Sequence, residues 1–283
     1  MEINRDYSKN SSVLINDKSE IDKHTLRIAV LNLMPTVQET EHQWQDLLSY
    51  NKNNSVEVVF FNSLIRPSSK VDKRHIDQNY SNWEKYDFNK LDGIVITGAP
   101  VELLDFNEVD FYPEVCKIIA KSIEYNLHLM LICWAAQAAL HYLYAIDKCC
   151  LDKKLFGVYE HKIIDNKHPL FKNFNKTEVK ACISRQTKVN SIEALKYTNK
   201  ILSSEIDGLD CLVDKNNSKI IYMFNHLEYT EKTLEAEFVR DLSYKKMPPP
   251  YNYYQGKNNY VNIKYSWKDD RVNFYSNWID MLV

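Results

Sequence analysis

One run of twenty residues, Leu127 to Ile146 (LHLMLICWAAQAALHYLYAI), constrains the fold more than any other part of the chain. Its length is about that of a bilayer span. His128, Gln137 and His141 interrupt it, however, and it divides into a short apolar stretch, LHLMLI, and a helix-forming one, WAAQAALHYLY. The reading that follows is a buried strand turning into a helix at Cys133. A membrane span is set aside.

The same grammar recurs upstream. Leu26 to Leu33 (LRIAVLNL), Val56 to Phe61 (VEVVFF) and Leu91 to Ile96 (LDGIVI) are nearly continuous aliphatic runs, the pattern of parallel strands covered on both faces. Between them, Thr36 and Glu39 give a capping-box signal for a helix that turns Trp44, Leu47 and Leu48 inward. Val115, Ile118, Ile119 and Ile123 follow helical spacing. Alternating strands and helices predict an α/β fold with a doubly wound, mostly parallel sheet, whose ligands sit at the carboxyl ends of the strands. Downstream, Asp210–Val213 and Lys219–Phe224 flank a turn-rich segment and predict a hairpin. A helix is expected from Thr230, with Leu234, Phe238 and Leu242 inward, ending before Pro248. The aromatic tail, Tyr251 to Val283, is expected to pack on the sheet. Residues 1–25 read as a polar N-terminal arm and residues 26–283 as one α/β domain.

Composition removes other classes. Lys plus Arg number 36 against 38 Asp plus Glu, so no global positive field exists to gather nucleic acid. The six cysteines lack a C-x-x-C pair or a small-domain framework, and the polar arm lacks a signal-peptide core, so a reducing, cytoplasmic setting is expected.

Cys133 falls where the fourth strand turns into a helix. There its sulfur projects at the sheet edge beside unpaired helix amides, as in a nucleophile elbow. The plainer alternative is a buried structural cysteine. His226 ends the second hairpin strand and Glu228 follows two residues on, a base with a partner able to orient it, although an H-x-E triplet also arises by chance.

LRIAVLNLMPTVQETEHQW (Leu26 to Trp44), LDGIVITGAPVELLDFNEVDFY (Leu91 to Tyr112), LICWAAQAAL (Leu131 to Leu140), KLFGVYEHKIID (Lys154 to Asp165), HLEYTEKTLEAEFVRDL (His226 to Leu242) and NFYSNWID (Asn273 to Asp280) occur in this order. Together they resemble the homoserine O-acyltransferases of methionine biosynthesis. The resemblance implies a class I glutamine-amidotransferase-like sheet, with Cys133 forming an acyl thioester, His226 as general base and Glu228 orienting it. It implies ping-pong transfer from an acyl-CoA co-substrate to L-homoserine, with no metal and no further cofactor, in a family that suggests homodimers. Lys154, Ser184 and Arg240 fall at positions the family uses to hold the amino acid, with Arg185 a secondary candidate. Glu102, in the G-A-P-x-E stretch, resembles the acetyl-transferring form, whereas Gly there accompanies succinyl transfer.

Several positions depart from the family pattern. C-W-G-A-Q-A-G reads Cys133-Trp134-Ala135-Ala136-Gln137-Ala138-Ala139, and G-H-P-E-Y-D reads Asn225-His226-Leu227-Glu228-Tyr229-Thr230. Two lysines that commonly follow N-L-M-P are Thr36 and Val37. Three rivals to homoserine O-acetylation therefore remain open at this point. One is succinyl transfer or another hydroxy amino acid as acceptor; the others are a glutaminase-like hydrolase and a non-catalytic paralogue.

Overall fold

Each aliphatic run folds as a strand buried on both faces: Ile28, Ala29, Val30 and Leu31 are fully inaccessible, as are Ile94, Val95 and Ile96 and Leu129 through Ile132. The computed structural model describes residues 12–15, 25–65, 73–206, 208–244, 247–256 and 262–283. The elements run β1 (Ser12–Ile15), β2 (Leu26–Asn32), α1 (Val37–Ser49), β3 (Val56–Asn62), α2 (Lys73–Asn79), β4 (Tyr80–Ser81), β5 (Gly93–Ile96), α3 (Tyr112–Glu124) and β6 (His128–Ile132). They continue with α4 (Trp134–Tyr144), β7 (Lys148–Ile163), β8 (Glu178–Val189), α5 (Ser191–Tyr197), β9 (Thr198–Ser204), β10 (Cys211–Asp214), β11 (Ile220–Met223), α6 (Thr233–Leu242) and α7 (Lys268–Asp280).

These strands form one sheet in the order β1-β3-β2-β5-β6-β11-β10-β9-β7-β8, with β4 beside β3. Pairing is parallel from β3 through β11 and antiparallel beyond. The carboxyl ends of β2, β5, β6 and β11 therefore share one edge. Helices α3 and α4 cover one face, where Val115, Ile118, Trp134 and Leu140 join the core. On the other face lie α1 and α7, with Trp44 packed edge-on against Tyr275 at 5.3 Å. The aromatic tail does pack on the sheet.

The structure departs from the sequence reading at several points. Ser12–Ile15, within the polar arm, pair antiparallel with Val56–Val59; apart from Thr25, the rest of residues 1–25 lies outside the described residues. No capping box forms at α1: the Thr36 side chain makes no cap bond and Glu39 is exposed, and Thr40 instead donates its hydroxyl to the Thr36 carbonyl. The helix expected from Thr230 starts at Thr233, after the Thr230 amide bonds the Thr233 hydroxyl, and Leu242 faces solvent. The long β7–β8 arm has no counterpart in the aliphatic runs. Lys148, Lys153, Lys154 and Lys162 interrupt β7, and none of its first eight residues is buried.

Two local devices fix the second half. Asp214 closes the β10–β11 turn: one carboxylate oxygen accepts the Asn216 and Asn217 amides (2.8 and 3.1 Å), and the other accepts the Tyr222 hydroxyl at 2.9 Å. On β7, Gly157 has φ +147°, and a Cβ there would lie 2.4 Å from both the nitrogen and the oxygen of Tyr251. The close approach lets Tyr251 bond both neighbours of Gly157, its amide to Phe156 and its carbonyl to Val158. Gly157→Ala is expected to cost about 1–3 kcal/mol of overpacking beyond the backbone strain that Gly208→Ala reports, since nothing lies within 4 Å of a Cβ at Gly208. Urea unfolding of both variants measures the difference; equal losses would contradict the close approach.

Candidate active site

Two main-chain bonds determine the shape of residue 133. Its amide donates to the Met223 carbonyl at 2.6 Å, extending the β6–β11 ladder, while its carbonyl accepts the Gln137 amide at 3.2 Å and opens α4. One residue meets both demands only by a sharp turn, and Cys133 has φ 50° and ψ −109°. For a non-glycine residue such backbone costs about 1–3 kcal/mol and persists only where surrounding structure enforces it. The sulfur is thereby raised at the strand edge. Gly98, at the end of β5, passes close by: a Cβ there would sit 3.4 Å from Cys133 Cβ and 3.5 Å from His226 Cε1. Thr97 secures that approach, its hydroxyl accepting the Leu33 amide at 2.8 Å and donating to the Gly98 carbonyl.

His226 follows β11 and is pinned by its amide to the Cys182 carbonyl at 2.7 Å. Its ring stacks on Tyr229 with centroids 4.3 Å apart, and Nδ1 lies 2.6 Å from Glu228 Oε1. The Cys133 side chain neighbours the same imidazole, with Gly98 lying against both. Cys133, His226 and Glu228 are each at most 6% exposed. Burial alone would push His226 down. The Glu228 carboxylate and then the Cys133 sulfur outweigh it and hold the imidazole well above the ordinary histidine range. The arrangement sets the imidazole between a thiol and a carboxylate, where it can serve as general base toward the sulfur.

Beside it opens a cavity of about 210 Å³ lined by Met34, Thr36, Gly98, Glu228, Glu237 and Arg240, among others. That size suits a small molecule. Arg240 lines the cavity, although the helical wheel turns it away from the buried stripe. Its Nε lies 2.9 Å from Asp241 Oδ1, and Lys154 Nζ lies 3.0 Å from Asp241 Oδ2, so one carboxylate gathers both cations. Burial raises the Asp241 carboxyl, but the Lys154 and Arg240 hydrogen bonds bring it below the usual range. Ser184 donates its hydroxyl to Glu237 Oε2 at 2.5 Å, and Tyr229 donates to Oε1 at 2.5 Å. Arg185 turns elsewhere, buried with Nη1 on the Thr187 carbonyl at 2.9 Å. Glu102 accepts the Gln186 amide at 2.8 Å; burial raises its carboxyl, opposed by that bond and by the charges of Lys154, His226 and Arg185.

Sequence reasoning missed Glu237. Its spacing of three residues from Arg240 places opposite charges on one helix face, which was the available signal. Among the described residues, no group of three or more His, Cys, Asp or Glu side chains is placed to hold a metal ion, and no helix is long and apolar enough to cross a membrane.

Comparison with known proteins bears on family and fold. The homoserine O-succinyltransferase family profile matches residues 7–283. A homoserine O-acetyltransferase of Lachnospira eligens is 36% identical over 91% of this chain and 83% of its own. A homoserine O-succinyltransferase of Pelagibacterium halotolerans is 32% identical over 92% and 84%. In fold, the chain is similar to a glutamine amidotransferase from Thermotoga maritima, with TM-score 0.63 and 10% identity over 92% of this chain and 98% of that one.

Because Glu228 favours the charged imidazole, replacing it by Gln removes the main upward pull and lowers the pH at which His226 loses its proton. Histidine NMR titration of wild type and Glu228→Gln, with the resonance assigned through His226→Gln, should show that downward move. An unchanged midpoint would mean that Glu228 does not act on His226.

Proposed function

The chain belongs to the homoserine O-succinyltransferase family, and on that premise we propose that it moves an acetyl group from acetyl-CoA to the side-chain hydroxyl of L-homoserine, a step of methionine biosynthesis, through a thioester on Cys133. The observation that carries this reading is the enforced turn at Cys133, which raises the sulfur against a histidine already paired with Glu228.

In the first half-reaction the Cys133 thiolate attacks the acetyl carbon of the donor thioester. The CoA thiolate leaves and takes the proton of the His226 imidazolium, and the acetyl group remains on sulfur. In the second, neutral His226 accepts the hydroxyl proton of homoserine as its oxygen attacks the Cys133 thioester; O-acetylhomoserine departs and the thiolate–imidazolium pair returns. The main-chain amides of Gly98 and Trp134, flanking the sulfur, are the donors assigned to the oxyanion in both steps. Arg240 and Lys154 suit the α-carboxylate of the acceptor, and Glu237, held by Ser184 and Tyr229, suits its ammonium. A cytoplasmic setting belongs to the same reading, supported by six unpaired cysteines.

Glu102 supports acetyl over succinyl. A partly buried carboxylate near the reacting centre repels the distal carboxylate of a succinyl group, whereas an acetyl group presents a methyl. Brief exposure to acetyl-CoA should add one acetyl group to wild type in the intact-protein mass spectrum, none to Cys133→Ala, and homoserine should discharge it. No adduct on folded wild type from either donor would overturn the thioester, and glutamine hydrolysis without CoA release would favour a glutaminase. Glu102→Gly should raise kcat/KM for succinyl-CoA relative to acetyl-CoA by about tenfold or more, equivalent to about 1.4 kcal/mol; an unaltered donor ratio would remove Glu102 from donor choice.

A further inference from the structure

The segment Asn225–Tyr229, which carries both the base and its carboxylate, lies outside the helices and strands, yet Asn225, His226, Glu228 and Tyr229 are each hydrogen-bonded to residues from elsewhere. Asn225 is fully buried; its amide donates to Asp210 Oδ2 and its carbonyl oxygen accepts the Leu227 amide at 3.1 Å. His226 is tied to Cys182, as described, and the Tyr229 carbonyl accepts Trp267 Nε1 at 2.8 Å. The Glu228 carbonyl accepts two donors from neighbouring helices: Gln43 Nε2 of α1 at 2.6 Å and Arg271 Nη2 of α7 at 3.1 Å.

Besides Phe274, Tyr275, Trp278 and Ile279, α7 buries three polar residues: Asp270, which accepts the Lys180 amide, Asn277, which donates to the Leu170 and Lys172 carbonyls, and Arg271. Only 2% exposed, Arg271 spends its other nitrogen, Nη1, on the Tyr265 hydroxyl at 3.2 Å and Asp46 Oδ2 at 3.4 Å. Desolvating a guanidinium is unfavourable, and an apolar side chain of similar volume would anchor α7 to the sheet at least as well. Packing therefore does not account for it. Its bond to the Glu228 carbonyl does: a carboxylate that must keep one oxygen on His226 Nδ1 needs its own main chain fixed.

We propose that Arg271 and Gln43 are positioning residues for the transfer reaction, holding the Glu228 main chain so that its carboxylate stays aligned on His226. The proposal rests on the Cys133–His226–Glu228 reading and extends the site to α7, which contributes no group to the cavity lining described above.

The experiment compares Arg271→Met, Arg271→Lys and Glu228→Gln with wild type in full acetyl transfer, in histidine NMR titration and in thermal unfolding. Arg271→Met should lower kcat by at least about tenfold, part of the roughly 10²–10⁴ that a well-placed general base supplies, with KM for homoserine changed less than about twofold. Its His226 midpoint should move down, as in Glu228→Gln. Arg271→Lys, which keeps a donor for the Glu228 carbonyl, should recover part of kcat and of the midpoint. A folded Arg271→Met that melts earlier but keeps wild-type kcat and His226 midpoint would make Arg271 a scaffold residue and overturn the proposal. Should Arg271→Met fail to fold, Gln43→Met decides: a lowered kcat and His226 midpoint are expected, and wild-type values of both in the folded variant would overturn the proposal. If Glu228→Gln itself leaves turnover and midpoint unchanged, the failure belongs to the underlying triad.

Discussion

Residue 133 carries two main-chain obligations, and the site depends on their conflict. As the last rung of the β6–β11 ladder it must reach Met223, and as the first residue of α4 it must receive Gln137. The resulting turn raises the sulfur to the edge where β2, β5, β6 and β11 all end. The groups that surround the sulfur are delivered to that edge by parallel strands: Met34 after β2, Thr97 and Gly98 after β5, His226 and Glu228 after β11, while β7, β8 and α6 add Lys154, Ser184, Glu237 and Arg240. A sheet with strands in alternating directions would have spread these groups over two edges.

The parallel half was legible because strands buried on both faces leave continuous aliphatic runs, as at Ile28–Leu31 and Leu129–Ile132. The strand, elbow and helix around Cys133 were legible for the same reason. The β7–β8 arm was not: its strands pair through main-chain bonds between residues such as Phe156 and Ser184, and charged residues scattered along both strands break up any apolar run. Local motifs were the least dependable guide. Thr36 and Glu39 have the spacing of a capping box, yet Thr36 lies at the cavity and makes no cap bond, because tertiary context sets what a side chain near a helix start bonds. Arg240 shows the opposite case, a residue on the polar, exposed side of a helix that nevertheless lines the cavity. Glu237 and Arg271 escaped attention because a lone charge inside a helix carries no sign in the sequence of whether another element will bury it.

The substitutions that set this chain apart from its family's pattern have visible accommodations. Ala135 and Ala139 are fully buried in α4, where a methyl group fills the helix packing. Asn225 does not use the left-handed backbone open to glycine. Its side chain instead ties Asp210 to Leu227, so one residue supplies bonds that glycine lacks atoms to make. Leu227, in place of proline, joins the apolar cluster that also contains Cys133. The loop that carries the base is thus stiffened by side chains rather than by ring geometry.

The Asp214 turn has a consequence for where this molecule tolerates changes of length. Strand β11 pairs with β6 on one side and β10 on the other, and it leads directly into His226. One residue gained or lost in the turn would slide β11 by about 3.3 Å and reverse which face each side chain occupies. The imidazole would then be carried away from a sulfur that cannot follow it. The five residues from Lys215 to Lys219 thus behave as a ruler of fixed length.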